Sequence, residues 1–129
     1  MQPELRTYAR QLRWTLEEIG QALVGLSSAK LNWRPPTGEA NSAYAIASHV
    51  LGSTRVYALG FGCGVAVERD RPAEFAAWGE DAEELIGGLA RLADEIDCAW
   101  RGRSVGSRAA VRSTPRAVRD RRAARDVRA

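Results

Sequence analysis

His49 is the side chain with the widest chemical range in this 129-residue sequence, and it is the only histidine. An imidazole can bind a metal ion or move a proton near neutral pH. A metal site takes three or more ligands from His, Cys and carboxylate side chains, which one histidine cannot supply. From the residues alone, His49 is therefore either a half-buried side chain with satisfied hydrogen bonds, the commoner case for a lone histidine, or one ligand of an incomplete set.

The remaining reactive side chains form no recognised catalytic motif. Cys63 and Cys98 are far apart and lack Cys-x-x-Cys spacing, so small hydrophobic side chains or idle thiols are the simplest interpretation. Gly62 and Gly64 follow a predicted helix, whereas a dinucleotide-binding loop follows a strand. No nucleophile–base pair, phosphate loop or carboxylate pair stands out.

Three amphipathic helices are predicted to position these residues. The first spans 3–26, where apolar residues recur at spacings of three and four and the charged residues lie mostly outside the stripe. Two prolines in the segment 32–38 end any helix, because proline lacks an N–H donor and restricts the residue before it. The stripe consists of Leu5, Tyr8, Leu12, Leu16, Ile19, Leu23 and Leu26.

The second predicted helix spans 42–61 and begins at the N-cap signal Asn41-Ser42. His49 lies at the edge of its apolar face and should point into the bundle or its rim. The third predicted helix spans 72–97, with an apolar stripe that starts at Phe75 and Trp78. The apolar face of the second helix is assigned to Ala43, Ile46, Val50, Tyr57 and Phe61.

The fold class that these patterns predict is all-α, since no strand pattern with a period of two competes. Three long helices with short connections require a fourth to close an antiparallel bundle. The aromatic residues Trp14, Trp33 and Trp78 are expected to belong to the core and not to a site.

A sharp change in charge divides the chain at residue 97. Residues 1–97 hold nine Lys and Arg against fourteen Asp and Glu, whereas residues 98–129 hold ten Arg and two Asp, a net charge of +8. The second segment has no Leu, Ile, Phe or Met, so little burial can offset its ordering entropy. We predict a helical domain over 1–97 and a disordered or partly helical tail over 98–129.

Several motifs in the first domain resemble the DinB-like superfamily of small bacterial four-helix bundles (DinB and YfiT-like metalloenzymes). They are Leu31-Asn32-Trp33-Arg34-Pro35-Pro36, Ala40-Asn41-Ser42, Ser48-His49-Val50-Leu51-Gly52-Ser53 and Arg69-Asp70-Arg71-Pro72-Ala73-Glu74-Phe75. The resemblance covers roughly residues 3–97. It implies a DinB-like antiparallel four-helix bundle that holds a divalent metal, commonly zinc, nickel or iron, between three histidines.

His49 matches the ligand that this family places on its second helix. The other two ligands come from a His-x-x-x-His motif on the fourth helix, and no histidine follows residue 97 here. The fourth helix is thus missing or replaced. Our hypothesis is a frameshift near codon 97, because Arg, Ala and Gly have GC-rich codons and the first 97 residues, with one lysine, suggest a GC-rich gene.

Three functional hypotheses follow from the sequence and the resemblance. The first is a metal-dependent hydrolase or thiol-dependent transferase, acting on a small molecule or with a low-molecular-weight thiol and impaired by the missing ligands. The second is a non-catalytic truncated bundle whose exposed apolar groove favours a homodimer. The third, less favoured because aromatic residues are sparse, is nonspecific nucleic-acid binding through Arg116, Arg119, Arg121, Arg122 and Arg125.

The expected location is the cytoplasm. The N-terminus lacks the basic and apolar regions of a secretory signal, and charged residues interrupt every apolar stretch that could span a membrane.

Overall fold

A computed structural model describes residues 1–101, which contain helices and no β-strand. The all-α prediction is confirmed for this part of the chain. None of its helices combines the length and apolar content that a bilayer crossing requires. The helices are α1 (Pro3–Leu23), α2 (Ser28–Asn32), α3 (Ala43–Thr54, continued by a π-helix over Arg55–Phe61), α4 (Arg71–Phe75) and α5 (Glu83–Trp100).

Helix α1 agrees with the predicted first helix except at its C-terminal end and at Tyr8, a predicted stripe residue that is 65% exposed. The apolar stripe buries Leu16, which is 1% exposed, and Leu23. The helix stops at Leu23 and not at residue 26, because Val24 is extended and Gly25 then takes a left-handed φ of 76°, in which a helix cannot continue. The short α2 was not predicted, and the Ser27 hydroxyl caps it by accepting a hydrogen bond from the Lys30 N–H at 3.3 Å.

Helix α3 begins as the sequence predicts, since the buried Ser42 hydroxyl accepts a hydrogen bond from the Ala45 N–H at 3.0 Å. The predicted apolar face was wrong at Ile46, Tyr57 and Phe61, which are each more than half exposed. Its other two members, Ala43 and Val50, are partly buried against the core. Three alanines and one leucine are the buried residues of α3 and the π-helix. They are Ala45 and Ala47 in α3 and Ala58 and Leu59 in the π-helix.

The predicted continuous helix over 72–97 was also wrong. Helix α4 ends at Phe75, and α5 begins only at Glu83. The Asn32 side chain holds the intervening segment by accepting from the Gly79 N–H at 3.2 Å and donating to the Gly79 carbonyl at 2.7 Å. The Tyr44 ring packs so closely on Gly79 that a Cβ there would overlap it. Long-range contacts therefore interrupt a stripe that looks continuous along the sequence.

The core of the described residues has two clusters, one between α1, the π-helix and α5 and the other where α2 and α3 pack against α1 and the start of α5. Leu92 and Ile96 of α5 are at most 1% exposed and cluster with Leu16 of α1 and Leu59 of the π-helix. Helix α5 also runs three residues beyond the predicted end at 97. There the Trp100 indole N–H donates to the Ala58 carbonyl at 3.1 Å.

The predicted core tryptophans are on the surface. Trp14, Trp33 and Trp78 are 57%, 62% and 63% exposed. Trp33 lies in the proline-rich segment and Trp78 in the loop between α4 and α5, so neither belongs to a stripe that faces the core. A shallow groove of about 340 Å³ also opens beside Tyr57, Ala58 and Trp100.

Candidate functional site

Helix α3, helix α4 and the loop before α4 meet at His49. The His49 Nδ1 lies 3.1 Å from Oε1 of Glu74. Arg69 donates to both oxygens of the same carboxylate, with Nε 2.9 Å from Oε2 and Nη2 2.9 Å from Oε1. We call these three side chains the histidine clamp. The Glu74 carboxylate lies within hydrogen-bond distance of both the imidazole and the guanidinium.

Local sequence features place Glu74 in this position. Asp70 caps the short α4, and its Oδ1 accepts from the Ala73 N–H at 3.1 Å. Pro72 suits the first turn of the helix. At the other end, Arg34 Nη2 donates to the Phe75 carbonyl at 2.7 Å, so the proline-rich loop fastens α4 against the bundle.

Gly52 makes room for the carboxylate on the surface of α3. A Cβ at this position would overlap Oε2 of Glu74 and lie 2.7 Å from its Cδ. Only glycine therefore allows Glu74 to approach the helix backbone this closely, which leaves its side chain 11% exposed. Gly52 follows His49 by three residues, so both lie on the same side of α3.

An aromatic ring fixes the plane of the imidazole. The rings of His49 and Phe75 stack with centroids 4.6 Å apart and an interplanar angle of 26°. The guanidinium of Arg71 lies 5.2 Å from the centroid of the Phe75 ring, within cation–π range. Stacking on one side and the Glu74 hydrogen bond at Nδ1 together restrict the orientation of the imidazole.

The electrostatics of the clamp favour a charged carboxylate. Hydrogen bonds from Arg69, reinforced by His49, hold the pKa of Glu74 below its ordinary value, although partial burial acts in the opposite direction. The hydrogen bonds that Arg69 donates to Glu74 raise the pKa of Arg69 in turn. Glu74 is thus an anion at neutral pH, and Arg69 is its main counter-ion.

The imidazole presents one engaged and one open nitrogen. All of its polar contacts with residues 1–101 are made at Nδ1, which also lies 3.2 Å from Arg69 Nη2. The side chain is 31% exposed, so Nε2 can meet solvent or a ligand. His49 lies at the rim of the bundle, which is one of the two placements that the helix pattern predicted.

The described residues do not assemble the ligand set of a metal centre. In residues 1–101, no three side chains from His, Cys, Asp and Glu come together as metal ligands would. Cys63 is half-buried and Cys98 is exposed. The whole sequence has one histidine, so a site of three histidines does not fit a single copy of this chain.

The nucleic-acid candidates lie outside the described residues. They are Arg116, Arg119, Arg121, Arg122 and Arg125. The prediction of a disordered or partly helical tail also concerns mainly residues beyond Arg101, and it stays a prediction.

Sequence reasoning did not connect Glu74 or Arg69 with His49. Glu74 entered the sequence analysis only as part of a family motif, and it lies in the first turn of α4, where an acidic side chain favours the start of a helix. Its contact with His49 spans 25 residues of sequence. The spacing of apolar residues cannot predict such a contact, because the contact depends on how α4 packs against α3.

Comparisons of the chain with protein-family models, with curated proteins and with solved structures give no match.

Proposed function

We propose that this chain is a DinB-like bundle which keeps one ligand position of a divalent-metal hydrolase or thiol-dependent transferase, at His49, and which is impaired in that reaction. The observation that carries the proposal is the arrangement of the imidazole. Metal-binding histidines usually hold a carboxylate or a carbonyl oxygen with one ring nitrogen and present the other to the metal. Glu74 contacts Nδ1 of His49 in this manner, and no residue of 1–101 makes a polar contact with Nε2.

The impairment follows from the number of ligands. A catalytic metal needs three protein ligands and an open position, and the family's other two histidines have no counterpart in this sequence. The chain's own residues can orient one imidazole at the bundle rim. They do not complete the metal centre from which a hydrolase or a thiol-dependent transferase would act.

Metal retention tests this proposal. The full chain is loaded separately with zinc, nickel and iron(II), dialysed and analysed for metal by mass spectrometry, beside His49→Ala. We expect well under one equivalent of each metal in both proteins, because one imidazole holds a metal weakly. One equivalent per chain that disappears in His49→Ala would contradict the impairment and indicate that other ligands, or a second copy of the chain, complete the site.

The charge of residues 98–129 favours a second candidate function, nonspecific binding of nucleic acid. A net charge of +8 in 32 residues can release counterions from a phosphate backbone. The test is DNA binding at several salt concentrations, for the full chain and for a variant with five arginines changed to alanine. Each lost phosphate contact should reduce the slope of log K against log salt by about 0.9. An unchanged slope would show that these residues do not contact phosphates. The five are Arg116, Arg119, Arg121, Arg122 and Arg125.

A further inference from the structure

We propose that Glu74 and Arg69 are positioning residues which hold neutral His49 as the tautomer protonated at Nδ1, so that Nε2 is the lone-pair nitrogen offered to a ligand. The chemical class that fits this nitrogen is a hydrogen-bond donor such as a hydroxyl or thiol, or a metal ion. The proposal deepens the proposed function and rests on it for the role of Nε2. The tautomer itself rests only on the geometry of the histidine clamp.

The argument begins with Oε1 of Glu74. Two nitrogens approach this oxygen, Arg69 Nη2 at 2.9 Å and His49 Nδ1 at 3.1 Å. Arg69 can only donate, and an ionised carboxylate can only accept. The His49 contact is a hydrogen bond only if Nδ1 carries the proton. With a proton on Nδ1, a neutral imidazole has its lone pair on Nε2.

The opposite tautomer would use the contact between Arg69 Nη2 and His49 Nδ1, which are 3.2 Å apart. In that arrangement the Nδ1 lone pair would face an anionic oxygen at 3.1 Å without a proton between them. Repulsion between two acceptors at this distance, one of them charged, outweighs one neutral acceptor bond to Arg69. The short distance between the two nitrogens follows from their sharing Oε1 as acceptor.

The surroundings keep the carboxylate in place. Gly52 lets Glu74 lie against α3, and Arg69 holds both carboxylate oxygens. Phe75 stacks on the imidazole and resists a ring flip that would exchange the two nitrogens. The tautomer is thus a property of five residues from two helices and a loop.

The experiment is a long-range ¹H–¹⁵N correlation spectrum of the ¹⁵N-labelled full chain, recorded at about pH 8.5, where imidazoles are neutral. His49 is the only histidine, so its two ring nitrogens need no assignment against others. Free imidazoles favour the proton on Nε2. A charge-assisted hydrogen bond should instead give the Nδ1–H form an excess of about tenfold or more. A native chain that carries the proton on Nε2 would overturn the proposal.

Two variants test the cause of the tautomer. Glu74→Ala removes the acceptor, whereas Gly52→Ala changes no ionisable group and only displaces the end of the flexible Glu74 side chain. Both should lose the excess of the Nδ1–H form. The matched control is Gly20→Ala, also in a helix, where the added Cβ meets Ile86 at an ordinary 3.8 Å and the tautomer should not change. If both variants keep the native ratio, Glu74 does not position His49.

Zinc in excess, added to the same labelled native sample, tests the proposed function separately. A shift of the Nε2 resonance supports His49 as a ligand position. An unchanged spectrum contradicts that ligand position, and the tautomer result stands by itself. A failure of the proposed metal-ligand position can therefore be distinguished from a failure of the proposed tautomer.

Discussion

Two clusters in this molecule contain the same kinds of charged group and differ in what surrounds them. In the histidine clamp, Arg69 and Glu74 have side chains that are 22% and 11% exposed. In the second cluster, Arg13 of α1 donates to Asp94 at 2.8 Å and to Asp97 at 2.6 Å, both in α5. Asp94 is 74% exposed there.

The difference shows how packing decides what an ion pair can do. In the Arg13 cluster, the Asp94 carboxylate is exposed, so water screens its charge, and holding the two side chains together costs entropy. The clamp shields its carboxylate between α3 and α4, so Glu74 can direct a third group, the imidazole, with little competition from water. The first arrangement ties helices together, and the second also orients a reactive side chain.

The largest contrast is expected when each carboxylate is truncated. Glu74→Ala removes a carboxylate that is only 11% exposed, together with its hydrogen bonds to Arg69 and His49, so the free energy of unfolding should fall by about 1–2 kcal/mol. Asp94→Ala, the matched change in the exposed cluster, should cost about 0–1 kcal/mol. Urea denaturation of both variants measures the difference. Equal losses would show that the burial of the clamp has no energetic consequence.

Acid should weaken the clamp in a defined direction. Because the pKa of Glu74 is lowered in the folded chain, its stabilisation is complete above the unfolded value of about 4.3 and is lost as the pH falls through the lower folded value. Between about pH 5 and pH 3, the native chain should therefore lose more unfolding free energy than Glu74→Gln.

The matched variant for the acid test is Glu95→Gln. Arg55 also lowers the pKa of Glu95, whose side chain is 45% exposed. Its removal should flatten the pH dependence less than Glu74→Gln does, because solvent screens the pair. Urea titrations at several pH values measure both variants. A larger effect in Glu95→Gln would show that Glu95 contributes more than Glu74 to the pH dependence of stability.

A smaller effect is expected from removing Arg13, the arginine of the second cluster. Arg13→Ala should lower the free energy of unfolding by about 0.5–1 kcal/mol at low salt. The loss should shrink at about 1 M salt, where the screening length is about 3 Å. Urea denaturation at both salt concentrations measures this. A loss that does not depend on salt would indicate that packing of the Arg13 stem dominates.

The smallest effect is expected at the tryptophan next to that cluster. Trp14 is 57% exposed, so Trp14→Ser should change the free energy of unfolding by no more than about 0.5 kcal/mol. Thermal and urea denaturation measure the change. A loss above about 2 kcal/mol would mean that the indole belongs to a core after all.

Sequence reasoning located His49 but not its partners. Periodicity placed the imidazole at the rim of α3, because side chains on one helix follow a fixed angular spacing. The same reasoning selected Ile46 and Tyr57 for burial, and both are exposed. Apolar type alone cannot tell which face of a helix meets its neighbours when small alanines pack more closely on the other face.

The sequence by itself determined the helical class and several helix ends. Apolar spacing predicted α1. Ser42 began α3, and Asp70 with Pro72 began α4, through local hydrogen bonds and backbone restrictions. The single histidine in the sequence also excluded a three-histidine centre in one chain.

Only the tertiary structure decided where the third predicted helix breaks and what holds His49. Asn32 reaches Gly79 across 47 residues, and Glu74 reaches His49 across 25. Such contacts depend on how helices pack, and packing depends on the shapes of all the side chains involved. A pattern read along one segment carries no information about the segment that will lie against it.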